Sequence, residues 1–75
     1  MGTSSTTQRV AANVRAELAV RQIKPARLAA ELGIATSTMD RRLKAKSEWP
    51  VDDLERVADF LGLTVESLLT DRDAA

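Results

Sequence analysis

The chain has 75 residues, in which eleven basic side chains balance eleven acidic ones, and it contains no cysteine and no histidine. A chain of this length forms at most one small hydrophobic core. The missing residue types exclude a disulfide framework, a Cys/His zinc site, a thiol nucleophile and a histidine general base, so we expect neither an enzyme nor a metal site.

The ordered domain is predicted to span residues 8–70, between a disordered N-terminal arm of residues 1–7 and a flexible tail of residues 71–75. The arm is rich in Ser and Thr and has no apolar anchor, and one hydroxyl at its end is expected to cap the first helix. The candidates for this cap are Ser5, Thr6 and Thr7.

Apolar residues at four-residue spacing predict a first helix from about residue 7 to 21, which buries Val10, Val14 and Leu18. Pro25 fits the first turn of a second helix of about eight residues. That helix is expected to end before Gly33, because glycine is typical of the position just past a helix C-terminus.

The third predicted helix begins at Thr36, whose hydroxyl is expected to serve as the N-cap. Met39 and Leu43 are four residues apart and define the buried side of this helix. At about 100° per residue, Arg41 falls opposite that side. The solvent side therefore carries hydrogen-bond donors, namely Ser37, Thr38, Arg41 and Lys44.

Apolar spacing also predicts a fourth helix from about residue 51 to 61, with Asp52 and Asp53 at the positive end of its dipole. Gly62 is expected to end it, and Thr64 to cap a short fifth helix. No strand pattern of useful length is present. The predicted fold class is therefore all-α, with five short helices.

Charge is distributed unevenly along the chain although its sum is zero. Nine basic and three acidic residues lie in 9–46, whereas two basic and eight acidic residues lie in 47–75. Asymmetry between two halves indicates nucleic-acid binding. Solvated helix faces with an accidental imbalance are the alternative explanation.

Two short helices joined by Gly-Ile-Ala, the second with donors near its start, have the arrangement of a helix-turn-helix. The second helix of such a pair lies in the major groove of B-DNA with its first residues at base edges. Arg41 is long enough to donate two hydrogen bonds to a guanine, and the methyls of Thr36 and Thr38 suit thymine methyl groups. Alternatively, Ser37 and Thr38 are ordinary first-turn residues.

The run LAAELGIATSTMDRRL, followed by VDDLERVADFLGLTVESLL, resembles the Cro/CI-type (XRE) helix-turn-helix family of phage repressors and small bacterial regulators. In that family's motif a small residue, here Ala29, packs where the two helices cross. Gly33 makes the turn and Met39 anchors the recognition helix. The resemblance covers about residues 10–69 and implies a lambda-repressor-like DNA-binding domain with its helix-turn-helix at helices two and three.

The resemblance also implies roles for individual residues. It places base contacts at Thr36, Ser37 and Arg41, with Thr38 on the same face. It places contacts to the DNA backbone at the start of helix two and in the loop after helix three, where the basic residues are Lys24, Lys44 and Lys46. Arg27 and Arg42 are two further candidates for contact with the DNA backbone. A two-fold contact through the C-terminal region is expected to use Leu63, Val65, Leu68 and Leu69.

Several of these residues have a second interpretation. Arg42 either lifts its guanidinium toward a phosphate or pairs with an acid of helix four. Asp40 either accepts from a cytosine or orients Arg41 or Arg42. Trp49 either covers the core or stacks on a base. Lys24 can contact a phosphate through its charge, but not with the geometry of the amide of the Gln that the family often has at the start of helix two.

Together these features predict a sequence-specific, double-stranded-DNA-binding transcriptional regulator, a Cro-like repressor that occupies a palindromic operator as a homodimer. No cofactor or small-molecule effector is expected, because so short a chain leaves no room for a ligand domain.

The alternative is a protein-interaction module, such as an antitoxin or a host-factor-binding phage protein, with weak or no DNA binding. No apolar run is long enough to span a bilayer, so we expect a cytoplasmic, nucleoid-associated protein in a bacterial or phage-infected cell, with no membrane partner.

Overall fold

The structure, a computed structural model, describes residues 5–70, which form five α-helices and, within that range, no strand. The all-α architecture predicted from the spacing of apolar residues is confirmed. Within the same range, no helix is both long and apolar enough to cross a membrane. The helices are α1 (Ser5–Arg21), α2 (Pro25–Leu32), α3 (Thr36–Leu43), α4 (Val51–Leu61) and α5 (Val65–Leu69).

The N-terminus differs from the expectation, because α1 begins at Ser5 rather than near residue 7. The three residues expected to end the arm therefore lie within the helix, and none of them precedes it as a cap. Thr7 is 6% exposed and lies three residues before Val10 on the buried stripe, so packing extends the helix toward its N-terminus. Residues 1–4 of the expected arm and the expected tail, residues 71–75, lie outside the described range.

The core lies where α1, α2 and α4 meet the short helices α3 and α5. Helix α1 packs against α3 and α5, α2 against α3 and α4, and α4 against α5. Burying one large aliphatic side chain contributes about 1.5–3 kcal/mol, so these contacts hold five elements that would not fold singly. The most deeply buried large side chains include Val10, Val14, Leu28, Met39, Val57 and Leu68.

Glycine ends two helices, as predicted. Gly33 and Gly62 have φ angles of 70° and 72°, the left-handed conformation that glycine adopts without steric penalty. At the first of these ends, the N–H of Gly33 donates to Ala30 O at 3.2 Å and that of Ile34 donates to Ala29 O at 3.0 Å. The sharp turn between α2 and α3 is thereby closed by backbone hydrogen bonds.

The N-cap residues predicted for α5 and α3 have different outcomes. The Thr64 hydroxyl accepts from the Ser67 N–H at 3.2 Å and caps α5, as predicted. Thr36 is not the N-cap of α3, because it is already helical and Ala35 occupies the cap position with extended backbone angles. No side chain caps α3, which leaves the Thr36 hydroxyl uncommitted at an exposed helix end.

Candidate nucleic-acid interface

Helix α3 turns one apolar side to the core and one polar side to solvent. Met39 is 1% exposed and Leu43 is 6% exposed, so these two side chains anchor the helix in the core. On the other side Thr36, Ser37 and Arg41 are exposed, and Thr38 is half-buried. The orientation derived from residue spacing is therefore confirmed, whereas contact of these side chains with DNA stays a prediction.

The turn before α3 fixes that helix against α2. Ala29 is 1% exposed and lies in the core, and α2 and α3 pack against each other; contact of Ala29 at the point where they cross stays a prediction. Ile34, which follows the turn glycine, packs against the core. Helices α2 and α3 thus pack directly against each other across a hydrogen-bonded turn.

Three exposed basic side chains of the described range have no partner. Within residues 5–70, Arg41, Lys24 and Lys46 have neither an ion pair nor a hydrogen bond from the side chain, and all three are exposed. Arg41 lies on the solvent side of α3, Lys24 precedes α2, and Lys46 lies in the loop after α3. These cations are free to contact an anion without first breaking an interaction.

Asp40 has a different partner from the one predicted. Its carboxylate pairs with the Lys44 ammonium one helical turn later, at 3.0 Å, and not with Arg41 or Arg42. Both side chains are more than half exposed, so the pair is weak and easily exchanged for another partner. The expectation that Asp40 orients an arginine is therefore corrected, because the i,i+4 spacing brings Lys44 nearer.

Arg42 adopts the second of its two predicted arrangements. Its guanidinium donates to Asp53 on α4 at 2.6 Å and lies 5.8 Å from the centre of the Trp49 ring. Only 13% of the side chain is exposed. The expectation that Arg42 contacts the DNA backbone is corrected, because its charge is already paired within the protein.

Trp49 covers the core, as predicted, and is 7% exposed. Its indole N–H donates to the backbone carbonyl of Arg42 at 3.2 Å. A base-stacking role is not compatible with this burial.

Arg27 has partners but remains accessible. Its guanidinium lies 5.7 Å from the centre of the Phe60 ring and 3.8 Å from the Glu31 carboxylate. The side chain is 65% exposed, so neither contact removes it from solvent. Arg27 therefore stays a candidate for contact with a phosphate.

The C-terminal end of α3 has all four of its last carbonyls satisfied. Asp40 O accepts from Lys44 N at 3.0 Å and Arg41 O accepts from Lys46 N at 2.8 Å. Arg42 O accepts from Ala45 N at 3.1 Å as well as from the Trp49 indole. The last carbonyl, that of Leu43, accepts from the Arg15 guanidinium. The last carbonyls of a helix have no partner within the helix itself, so these contacts fix α3 at this end.

The N-terminal ends of α2 and α3, unlike the C-terminal end of α3, have no side chain that satisfies their backbone groups. Lys24 and Ala35 occupy their N-cap positions, and neither end has a side-chain hydrogen bond to the cap region. Backbone N–H groups at a helix start carry partial positive charge and favour anions. Pro25 at the first position of α2 has no N–H to satisfy, as predicted.

Three arginines that sequence reasoning did not assign stabilise the C-terminal ends of other helices. Arg15 on α1 serves α3, as described above. Arg21 donates to Leu61 O at 3.0 Å at the end of α4, and Arg56 donates to Leu32 O at 3.0 Å at the end of α2. These partners are 24 to 40 residues away in sequence, so no local pattern indicates them. Basic residues of the N-terminal half are therefore partly structural.

The C-terminal apolar residues do not form one surface patch. Leu68 is fully buried in the core, so its expected place in a dimer interface is corrected. Leu63, Val65 and Leu69 are half-buried and pack at the edge of the core. An open groove with a volume of about 410 Å³ runs between α1, α5 and the start of α4. Its apolar lining consists of Val10, Trp49, Val51, Leu54, Val65 and Leu69.

Within the range that the structure describes, no group of three acidic side chains is arranged to hold a metal ion.

Comparison with known proteins agrees with this geometry. The sequence model for the Cro/C1-type helix-turn-helix DNA-binding domain matches residues 13–74, and the chain belongs to this family. The fold is similar to the crystal structure of a hypothetical transcription factor, NHTF, from Neisseria, with a TM-score of 0.83 and 18% sequence identity. That match covers 91% of this chain and 78% of the Neisseria chain. No curated protein matches the sequence.

Proposed function

We propose that this chain is a transcriptional repressor that binds a palindromic operator in double-stranded DNA as a homodimer, with α3 in the major groove. The observation that carries the proposal is the outward side of α3, where Arg41 is exposed and has no partner within residues 5–70. An α-helix with its side chains is about 10–12 Å wide, which fits a major groove about 12 Å wide.

The base contacts are proposed for the first two turns of α3. Arg41 donates two hydrogen bonds to O6 and N7 of a guanine. Ser37, near the helix start, brings a small hydroxyl to a base edge. The uncapped Thr36 and the half-buried Thr38 offer methyl groups to thymine. Small side chains at these positions allow the backbone to approach the groove closely.

The phosphate contacts are proposed for four cations around α3. Lys24 and Lys46 are unpaired in the described range, Arg27 is 65% exposed, and Lys44 has only the weak partner Asp40. The uncapped start of α2 adds the backbone N–H of Ala26, because Pro25 has no N–H and that of Arg27 already donates to Lys24 O. These groups would orient the protein on the duplex without reading its sequence.

The homodimer is proposed to form through the groove and the residues beside it. Leu63, Val65 and Leu69 are half-buried, and Val51, at the rim, is 67% exposed. A two-fold contact uses the same patch on both copies, and a projecting valine beside an apolar groove supplies both halves of such a contact. Two copies of α3 would then read half-sites one helical turn apart, about 10–10.5 base pairs.

Selection of bound fragments from a random duplex library tests the proposal. We expect recovery of sites with two inverted half-sites, each containing a guanine that binding requires. Placing the recovered site over a reporter promoter is expected to reduce expression when the protein is present. Recovery of single, unrelated sequences would contradict the palindromic operator, and increased expression would contradict repression.

A salt titration separates this proposal from a protein-interaction module with the same fold. Each phosphate contact contributes about 0.9 to the slope of log Kd against log salt concentration. Four cations on each copy therefore predict a steep dependence, although the net charge of the chain is zero. A flat response, or no binding at low salt, would favour the protein-interaction module.

A further inference from the structure

Arg42, Trp49 and Asp53 form a compact cluster that joins α3 to α4. The Arg42 guanidinium donates to the Asp53 carboxylate at 2.6 Å and faces the Trp49 ring, while the indole N–H donates to the Arg42 carbonyl. Arg42 and Asp53 are 13% and 17% exposed, so their pair is better shielded from solvent than the surface pairs of this chain formed by Arg27 and Lys44. We call these three residues the Arg42 clasp.

The Arg42 clasp encloses the loop after α3. It fixes the last turn of α3 on one side and the first turn of α4 on the other, so residues 44–50 begin and end at anchored points. Lys44 and Lys46, two of the proposed phosphate contacts, lie inside this loop. The positions of both lysines therefore depend on a cluster that contains neither of them.

The loop also contains a residue in an unfavourable conformation. Ala45 has a φ of 59°, the left-handed region that an alanine adopts at a cost of about 1–2 kcal/mol. Such a conformation persists only where surrounding contacts hold it in place. The Trp49 hydrogen bond goes to the same carbonyl, Arg42 O, that accepts from Ala45 N, so the Arg42 clasp holds this turn.

We propose that the Arg42 clasp positions α3 and the following loop for DNA, so that Asp53, although acidic, strengthens DNA binding. This inference rests on the proposed DNA-binding function. Asp53 and Arg42 are positioning residues and do not themselves contact the duplex.

The proposal predicts that removing Asp53 weakens DNA binding, whereas net charge alone predicts that it strengthens binding. Removing an acidic side chain makes the protein more positive and, by electrostatics alone, should tighten its binding to DNA. Asp52 provides the matched control, because it also lies in the first turn of α4 but is exposed and unpaired within the described range. Asp52→Ala and Asp53→Ala change the charge equally and both lose the favourable position at the helix dipole.

The experiment compares the two variants with the unaltered chain on the duplex recovered by selection and on a duplex of random sequence. Dissociation constants are measured over a range of salt concentrations, at a temperature where circular dichroism shows every protein folded. We expect Asp52→Ala to bind as the unaltered chain does or slightly tighter, and Asp53→Ala to bind about fivefold or more weakly. Emission of Trp49, the only tryptophan, is expected to move to longer wavelength in Asp53→Ala alone.

Several results would overturn the inference. Asp53→Ala binding as tightly as Asp52→Ala, or losing affinity without a change in Trp49 emission, would show that the loop is positioned by other contacts. Tighter binding with a slope steeper by about 0.9 would show instead that Arg42 is released to contact a phosphate. Absence of binding by the unaltered chain would overturn the proposed function itself, and this inference with it. If Asp53→Ala does not fold, Asp53→Asn is compared with Asp52→Asn by the same criteria.

Discussion

Arg41 and Arg56 carry the same side chain in different surroundings, and this difference separates the proposed role of Arg41 in DNA recognition from the role of Arg56 in stability. Arg41 has no partner within residues 5–70, whereas Arg56 donates to Leu32 O at 3.0 Å and to Glu31 O at 2.8 Å. The spacing of apolar residues on α3 was sufficient to predict that Arg41 faces solvent. It gave no information on Arg56, because the carbonyls it contacts lie 24 and 25 residues earlier in the sequence.

Substitution of Arg41 by Ala is expected to weaken binding to the selected duplex by about 1–3 kcal/mol and to remove the preference for guanine at one position of each half-site. Thermal unfolding should change little, since no described group loses a partner. Titration against duplexes altered one base pair at a time measures both effects. Unfolding of the variant, or unchanged preference at every base pair, would contradict the proposed contact.

Substitution of Arg56 by Ala is expected to lower stability and to leave the base preference of the protein unchanged. Two carbonyls at the end of α2 lose a charged donor, and such hydrogen bonds contribute about 1.5–3 kcal/mol when shielded. Because Arg56 is partly solvated and water replaces some of this interaction, we expect the free energy of unfolding measured in urea to fall by about 1 kcal/mol. Base preference should be retained. A variant as stable as the unaltered chain would show that solvent satisfies these carbonyls equally well.

At the scale of the helices, the sequence predicted the ends marked by glycine but not those where another residue takes the left-handed conformation. Gly33 and Gly62 gave a direct signal. Gln22 and Ala45 adopt φ angles of 57° and 59° at the ends of α1 and α3, with the same pattern of backbone hydrogen bonds. Nothing in either side chain favours that conformation, so packing of the neighbouring helices imposes it.

Gln22 and Gly62 therefore give a paired prediction. Gln22→Gly is expected to raise stability by about 0.5–1 kcal/mol, because glycine removes the left-handed penalty and the Gln22 side chain is exposed. Gly62→Ala is expected to lower it by about 1 kcal/mol through backbone strain alone, since no atom lies within 4 Å of the added methyl. For a domain of this size, each kcal/mol corresponds to about 4–8 °C in melting temperature. Shifts of the same sign in both variants would contradict the assignment of strain to Gln22.

For the whole molecule, local periodicity was enough to predict the fold, whereas long-range pairs were needed to describe the interface. Buried stripes such as Val10, Val14 and Leu18 follow from four-residue spacing alone. The sequence offered a pair between Arg42 and an acid of α4 as one of two alternatives, and the folded chain selects it, with Asp53 as the partner. The hydrogen bond from Asn13 to Leu68 O, at 2.7 Å, joins residues 55 apart that no local pattern connects. Neither the family resemblance nor the spacing of apolar residues reveals that α1 covers Leu68, so the predicted dimer interface includes it.

Assembly of two copies is tested with two exposed valines. Val51 is 67% exposed at the rim of the apolar groove, and Val20 is 73% exposed on α1 and does not line that groove. Val51→Gln is expected to raise the dimer dissociation constant about tenfold or more, because two-fold symmetry removes the same apolar contact twice. Val20→Gln should leave the dimer dissociation constant unchanged, and sedimentation equilibrium measures this constant for both variants.

Neither variant is expected to alter thermal unfolding of the monomer, because exposed substitutions of this kind change stability by about 0.5 kcal/mol or less. Equal effects of the two substitutions, or none from Val51→Gln, would mean that any dimer of this protein forms through another surface.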